Sequence, residues 1–186
     1  MDVLGHALYG ATICSRTGLA GGRRGAVNPD GTRKRFDWTV WAAAGFSLLP
    51  DALSLGLFLV PSIIAAGEPD WHGMPAYIMT LYRFNHNLLV ACLLAVLCGV
   101  LWRPLFVPAL AWPLHVVADL FLHGPGRFQT APLYPLSDFR INGINWWEHS
   151  SVTLLYIAIL PVLWFLIVLW RRAGSRPVPV GRKTDT

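Results

Sequence analysis

The 186-residue sequence predicts an all-α, polytopic membrane helix bundle: four long transmembrane helices plus a short N-terminal helix that is re-entrant or half-length. Three observations carry this. Hydrophobic residues make up 54% of the chain and charged residues only 13%, with mean hydropathy +0.47, against about 25% charged in ordinary soluble domains. The apolar residues fall into four long runs, and nine Trp and nine Phe suit the aromatic belts of a membrane protein. The basic residues cluster beside apolar runs: six of the fifteen Lys/Arg lie between Arg16 and Arg35, and five between Arg171 and Lys183. That pattern follows the positive-inside rule and argues against a nucleic-acid surface despite the net charge of +5.

Taken in order, Asp2 to Cys14 is a short apolar segment carrying His6; at 1.5 Å per residue it covers part of a bilayer. Asp2, His6 and the lack of a basic leader argue against a cleavable signal peptide. Ser15 to Asp37 is Gly-rich and basic, with Asn28-Pro29-Asp30-Gly31 as a turn, and reads as a flexible cytoplasmic loop. Trp38 to Ala65 is the first long span, interrupted at Pro50-Asp51 and Pro61, so that tilt or a kink is expected. Gly67 to Leu81 reads as a polar loop. Phe84 to Trp102 is the second span, opening on Asn85-His86-Asn87. Leu105 to Leu122 is the third. Gly124 to Glu148 is too long for a plain connector, and its aromatics (Trp146, Trp147) and polar groups suit an interfacial lid. Ser151 to Trp170 is the fourth span. Residues 1–170 form one membrane domain, and 171–186 a basic, disordered tail. Cys14, Cys92 and Cys98 lack CxxC spacing and give no disulfide or zinc signal.

Placing both basic clusters inside, with even parity between them, puts twelve of the fifteen basic residues and the C-terminus in the cytoplasm. The polar residues of the spans then converge in the outer half of the bundle. The centre of the pattern is Leu114 to His123, where His115, Asp119 and His123 recur every four residues on one helix face. An ionised Asp in mid-bilayer costs about 2.5–3.5 kcal/mol, so it needs a partner. A metal ion best explains imidazole and carboxylate together; a His115–Asp119 hydrogen bond without metal is the alternative. Asp51 alternatively caps a helix restarting at Ala52, His123 is alternatively a cation on the helix dipole, and His72 and His149 read as interfacial residues.

Five motifs in order resemble the bacterial inner-membrane-associated, metal-dependent hydrolase family named for a LexA-linked member. They are His6-Ala7-Leu8-Tyr9-Gly10, Leu48-Leu49-Pro50-Asp51, Arg83-Phe84-Asn85-His86, His115-Val116-Val117-Ala118-Asp119 and Pro132-Leu133-Tyr134-Pro135, over roughly residues 1–140. The chain departs from the family where Leu53 replaces a second acid, Tyr82 a His, and Asn87 a Ser. The resemblance implies a membrane-embedded, hydrolase-like metal site in the inner membrane. Its ligands are expected to be His6, Asp51, His86, His115 and Asp119, with Asp51 or Asp119 also serving as catalytic base. Arg83 or Arg140 would hold an anionic group. The donor set suits one or two divalent ions, zinc first, with manganese or iron as alternatives. Metal-activated water would attack a phosphoester or lipid-linked substrate drawn from membrane lipid. The competing class is a non-catalytic metal-binding or structural membrane protein.

Overall fold

A computed structural model describes residues 1–28, 30–32 and 34–174. Among them the chain is helical, with no strand. The eight helices are α1 (Val3–Cys14), α2 (Trp38–Ala52), α3 (Leu55–Ala66), α4 (Ala76–Asn85), α5 (Leu88–Leu101), α6 (Phe106–Ala109), α7 (Ala111–Leu122) and α8 (Ser150–Gly174).

The N-terminal segment is indeed a short helix. Asp2 caps α1 by accepting from the Gly5 amide at 2.8 Å, the favoured role of Asp at an N-cap. Asp37 caps α2 in the same way through Thr39. The first long run is not one helix. It breaks at Leu53-Ser54, and α2 and α3 meet at 79°. Pro50 weakens the end of α2, and the Ser54 hydroxyl donates to the Pro50 carbonyl at 2.6 Å. Asp51 therefore lies in the last turn of α2 and does not cap a helix starting at Ala52. The second run also differs from expectation. Part of the supposed polar loop 67–81 is α4, which meets α5 at 58°. His86 closes α4 and Asn87 caps α5 by accepting from Val90 at 3.1 Å, so His86 lies at a break and not at the start of a span. The third span is α6 and α7 behind a 3₁₀ turn. Among the described residues two helical stretches, Arg103–Leu122 and Ser150–Ala173, are long and apolar enough to cross a membrane alone, and up to four spans result if each bent pair counts as one.

Helix α7 is the centre of the bundle. Ala111, Trp112, His115, Val116, Asp119 and Leu120 are buried on it. It packs with α2 and α1 around Cys14, Ala43 and Ala111, and with α5 around Ala91, Trp112 and Val116. These small residues let backbones approach closely, the usual device of packing in membranes. The closest approach joins α1 to α2 at Gly10, where a Cβ would stand 2.6 Å from Ser47 Cβ. Helix α8 is peripheral and mostly exposed. It is tied to α1 by Tyr9 to the Tyr156 carbonyl (2.6 Å), by Trp164 to Thr12 (3.0 Å) and by Tyr156 to Asp2.

The basic groups gather at one end. Arg171, in the last turns of α8, donates to the carbonyls of Arg16, Thr17, Gly18 and Gly22 at 2.6–3.3 Å. Trp102, beside Arg103, stacks on Trp38 at 5.1 Å. The loop after α1, the turn at Arg103 and the end of α8 therefore share an end, as the sequence pattern requires. That loop is anchored where Asp37 accepts from Thr17 and Thr39, and Asn28, Asp30, Gly31 and Thr32 form the expected turn. Residues 171–174 continue α8. The remainder of the expected tail lies outside the described residues.

Candidate metal centre

Five side chains from four elements meet in the middle of the bundle. His6 comes from α1, Asp51 from the end of α2, His86 from the α4–α5 break, and His115 and Asp119 from one face of α7. His6, His86, His115 and Asp119 are each at most 2% exposed. The Asp51 side chain is 19% exposed.

Two hydrogen bonds decide what the imidazoles present. His86 Nδ1 is 2.9 Å from the Tyr82 carbonyl, and His115 Nδ1 is 2.7 Å from the Ser47 carbonyl. A carbonyl only accepts, so each Nδ1 carries the proton and donates it. A neutral ring then has a bare lone pair on Nε2. Those two Nε2 atoms face each other at 3.1 Å. The carboxylates converge on the same point. Asp119 Oδ2 lies 3.1 Å from His115 Nε2 and 3.4 Å from His86 Nε2, and Asp51 Oδ1 lies 3.4 Å from His86 Nε2. Asp51 Oδ2 is 3.9 Å from His115 Nε2. Lone pairs and anionic oxygens at these separations repel unless a proton or a metal ion joins them; the Met1 ammonium reaches only Asp119 Oδ1. Two ligands held 2.0–2.2 Å from a tetrahedral ion stand about 3.3–3.5 Å apart, close to the spacing here.

His6 adds a second indication. Its ring stacks on His115 with centroids 3.6 Å apart. His6 Nε2 is paired with Asp119 Oδ1 at 3.0 Å in poor hydrogen-bond geometry, and its Nδ1 is buried without a hydrogen-bond partner. A buried imidazole in that state is costly, and ligation relieves the cost. Asp119 is thus shared. Oδ1 faces His6 and the Met1 ammonium at 3.2 Å, and Oδ2 faces His115, His86 and, at 3.5 Å, His123. Two triads satisfy metal-ligand spacing, His6–His115–Asp119 and Asp51–His86–His115. Both belong to one continuous cluster, and His115 is common to them.

The five ligands expected from the sequence are therefore together. The other expected residues are elsewhere. Arg83 lies over the Tyr134 ring at 5.9 Å, and neither it nor Arg140 lines the cavity that reaches Asp51. His72 and His149 are exposed.

Three further residues touch the cluster: Tyr82 and Asn85, which have no expected role in the site, and His123, which the sequence places on the same face as His115 and Asp119. Tyr82 stacks on His86 at 3.9 Å and donates to the Phe128 carbonyl at 3.0 Å. It stands one helical turn before His86, a spacing that could have flagged it. His123 turns its Nδ1 toward Asp119, so more than the dipole acts on it. Asn85 donates from its amide to the Leu53 carbonyl at 3.0 Å, tying the two helix breaks together. Its own carbonyl accepts from Trp112 Nε1 at 2.9 Å.

No family model matches the chain, and no curated protein or solved structure matches it either.

Proposed function

We propose that this chain is an integral-membrane, metal-dependent hydrolase, in keeping with the resemblance of its motifs to the inner-membrane-associated hydrolases. In that reading the C-terminus is cytoplasmic and the site opens toward the outer half of the membrane. The observation that carries the proposal is the pair of Nε2 atoms facing each other at 3.1 Å with two carboxylates around them. Backbone carbonyls orient both rings by accepting from Nδ1, the second-sphere arrangement that ligating histidines use.

A bound divalent ion, zinc first and manganese or iron next, would supply Lewis acidity and lower the pKa of a water to about 7. His6, His86, His115 and Asp119 would hold it. Asp51 lines the cavity of about 1100 Å³ and its side chain is 19% exposed, so it is the carboxylate placed to accept a proton from water at the reacting centre. Asp119 has both oxygens engaged and serves as ligand and charge partner. The substrate is a phosphoester or other ester that reaches Asp51 through the cavity. Burial of four of the five ligands favours a second reading, in which the ion only braces the bundle.

Elemental mass spectrometry of detergent-purified protein tests the site. Wild type is expected to carry about one or two equivalents of metal, and a His115→Ala/Asp119→Ala variant none. Wild type folded but free of metal would overturn the proposal. Asp51→Asn separates the two readings. With metal retained, an enzyme loses turnover of a lipid phosphoester, whereas a bracing site shows no turnover in either form.

A further inference from the structure

Helix α3 has no buried residue. Between it and the body of the bundle lies a cavity of about 1100 Å³, above the usual range of about 300–1,000 Å³ for small-ligand pockets. Leu55 and Leu59 of α3 line one side, and Trp146 and Trp147 another. Polar side chains are few, and three of them, Asp51, Tyr82 and His123, belong to the metal centre or touch it. No Lys or Arg lines it. Leu57 and Val60 border the cavity, yet are 55% and 54% exposed. The cavity thus opens on the side where α3 presents its outer apolar face, which includes Ile64 at 80% exposure.

A chamber with apolar walls, a polar end at Asp51 and a side opening beneath an apolar helix matches an amphiphile. It does not match a water-soluble ion or sugar, which would leave its polar groups unpaired against Leu and Trp. We propose that the cavity holds the hydrocarbon tail of a membrane amphiphile, which enters sideways from the bilayer past α3 and sets its ester or phosphoester linkage at Asp51. The polar half of this assignment rests on the metal-hydrolase reading; the apolar half does not. Trp146 and Trp147 then form another wall of the chamber, with Trp147 5.5 Å from the His123 ring, which accounts for the long 124–148 segment folding back onto the end of α7, where the Ile144 amide donates to the Phe121 carbonyl at 2.8 Å.

Photolabelling tests this without turnover. The full-length protein is reconstituted in phosphatidylcholine vesicles containing a phosphatidylcholine with a diazirine at the end of one acyl chain, then irradiated, digested and mapped. Labels are expected on Leu55, Leu59, Trp146 and Trp147, several-fold above the lipid-facing Leu93, Leu154 and Phe165 of α5 and α8. Leu55→Trp, which narrows the chamber at α3, should lower the labelling of Trp146 and Trp147 and leave Leu154 unchanged; Leu59→Phe reads the same narrowing if that variant fails to accumulate. Labelling of the inner wall no greater than that of α8 would overturn the inference. Metal content is measured on the same preparations. Enrichment in protein that carries no metal would keep the tail site and sink the metal reading, and metal without enrichment would do the reverse.

Discussion

Replacing Gly10 by Ala sets two physical effects against each other. Within a helix the change raises intrinsic propensity by about 1 kcal/mol, so α1 alone would gain. The packing opposes it. The new Cβ would stand 2.6 Å from Ser47 Cβ, 2.9 Å from Ser47 Oγ and 3.0 Å from the Ala43 carbonyl oxygen, whereas carbon atoms rest about 3.5–4.0 Å apart. No flexible side-chain end is available to yield, so α1 and α2 must part by roughly 1 Å along that line. Overpacking of this kind costs about 1–3 kcal/mol. The shift also reaches the site. His6 lies one turn before Gly10, its carbonyl accepts from Ser47 Oγ at 2.7 Å, and its ring rests on His115. Metal ligands tolerate displacements of about 0.2 Å, so a 1 Å shift, roughly five times that, removes His6 from the set. Gly45→Ala is the control, because nothing lies within 4 Å of its Cβ, and it should stabilise α2 slightly. Thermal unfolding in detergent and metal retention against a chelator read both effects. Gly10→Ala should unfold earlier and lose metal about ten-fold more readily. Identical behaviour of the two variants would refute the reasoning.

Four further outcomes follow from the same geometry. Asn85→Leu removes the donor to the Leu53 carbonyl and should cost about 1–3 kcal/mol together with metal affinity, measured by the same unfolding and chelator assays. Chelation should lower the unfolding temperature of wild type, by the equivalent of about 2.7 kcal/mol when metal stood at a hundred times its Kd, and leave His115→Ala/Asp119→Ala unmoved. His115→Ala should abolish activity and His72→Ala, on an exposed loop, should not; equal turnover in the two would contradict the site. Asp37 carries the pH dependence outside the spans. Burial raises its pKa, but hydrogen bonds from Thr39 and Thr17 outweigh burial and hold it below 3.8. Its stabilisation is therefore present above the unfolded carboxylate range and lost as pH falls through the lowered folded value. The unfolding-temperature curves of wild type and Asp37→Asn should separate above the ordinary carboxylate range and converge as pH falls below it.

Why some of this was legible in the sequence and some was not comes down to helix continuity. His115 and Asp119 were readable as one face because α7 runs unbroken through them, so a four-residue spacing fixes their direction. The basic clusters were readable because a charge beside an apolar run needs no tertiary information. Asp51 and His86 were readable as polar residues in apolar runs, but their setting was not. The first run reads as one span with a tilt or kink, whereas it holds two helices, α2 and α3, and the second begins on the last turn of α4 before it becomes α5. Asn87 and Ser54 stand just before apolar stretches, where a helix start is signalled, and weighing those signals against the hydrophobicity would have revealed the breaks. Helix α4 was lost among loop residues because Tyr77, Thr80 and Arg83 dilute its apolar face. The cavity left no trace, since α3 is apolar all round and such a pattern does not distinguish a lipid-facing helix from one lining a chamber.

The breaks are also what makes the site. A helix that ends inside the bundle leaves carbonyls with unused capacity, and water cannot serve them there. Tyr82, in the last turn of α4, spends that capacity on the His86 Nδ1 proton. Leu53, just past α2, spends it on Asn85. The first bond aims a lone pair, and the second fixes the distance between the element carrying Asp51 and the one carrying His86. The Tyr82 carbonyl holds the His86 amide at 2.8 Å as well as the ring, whereas a continuous helix through residue 53 would pair the Leu53 carbonyl along its own axis and release the two breaks from each other. The bends of 79° and 58° are therefore part of how two separate runs of apolar sequence bring a carboxylate and an imidazole within 3.4 Å, and an insertion that straightened either would be expected to empty the site before it unfolded the bundle.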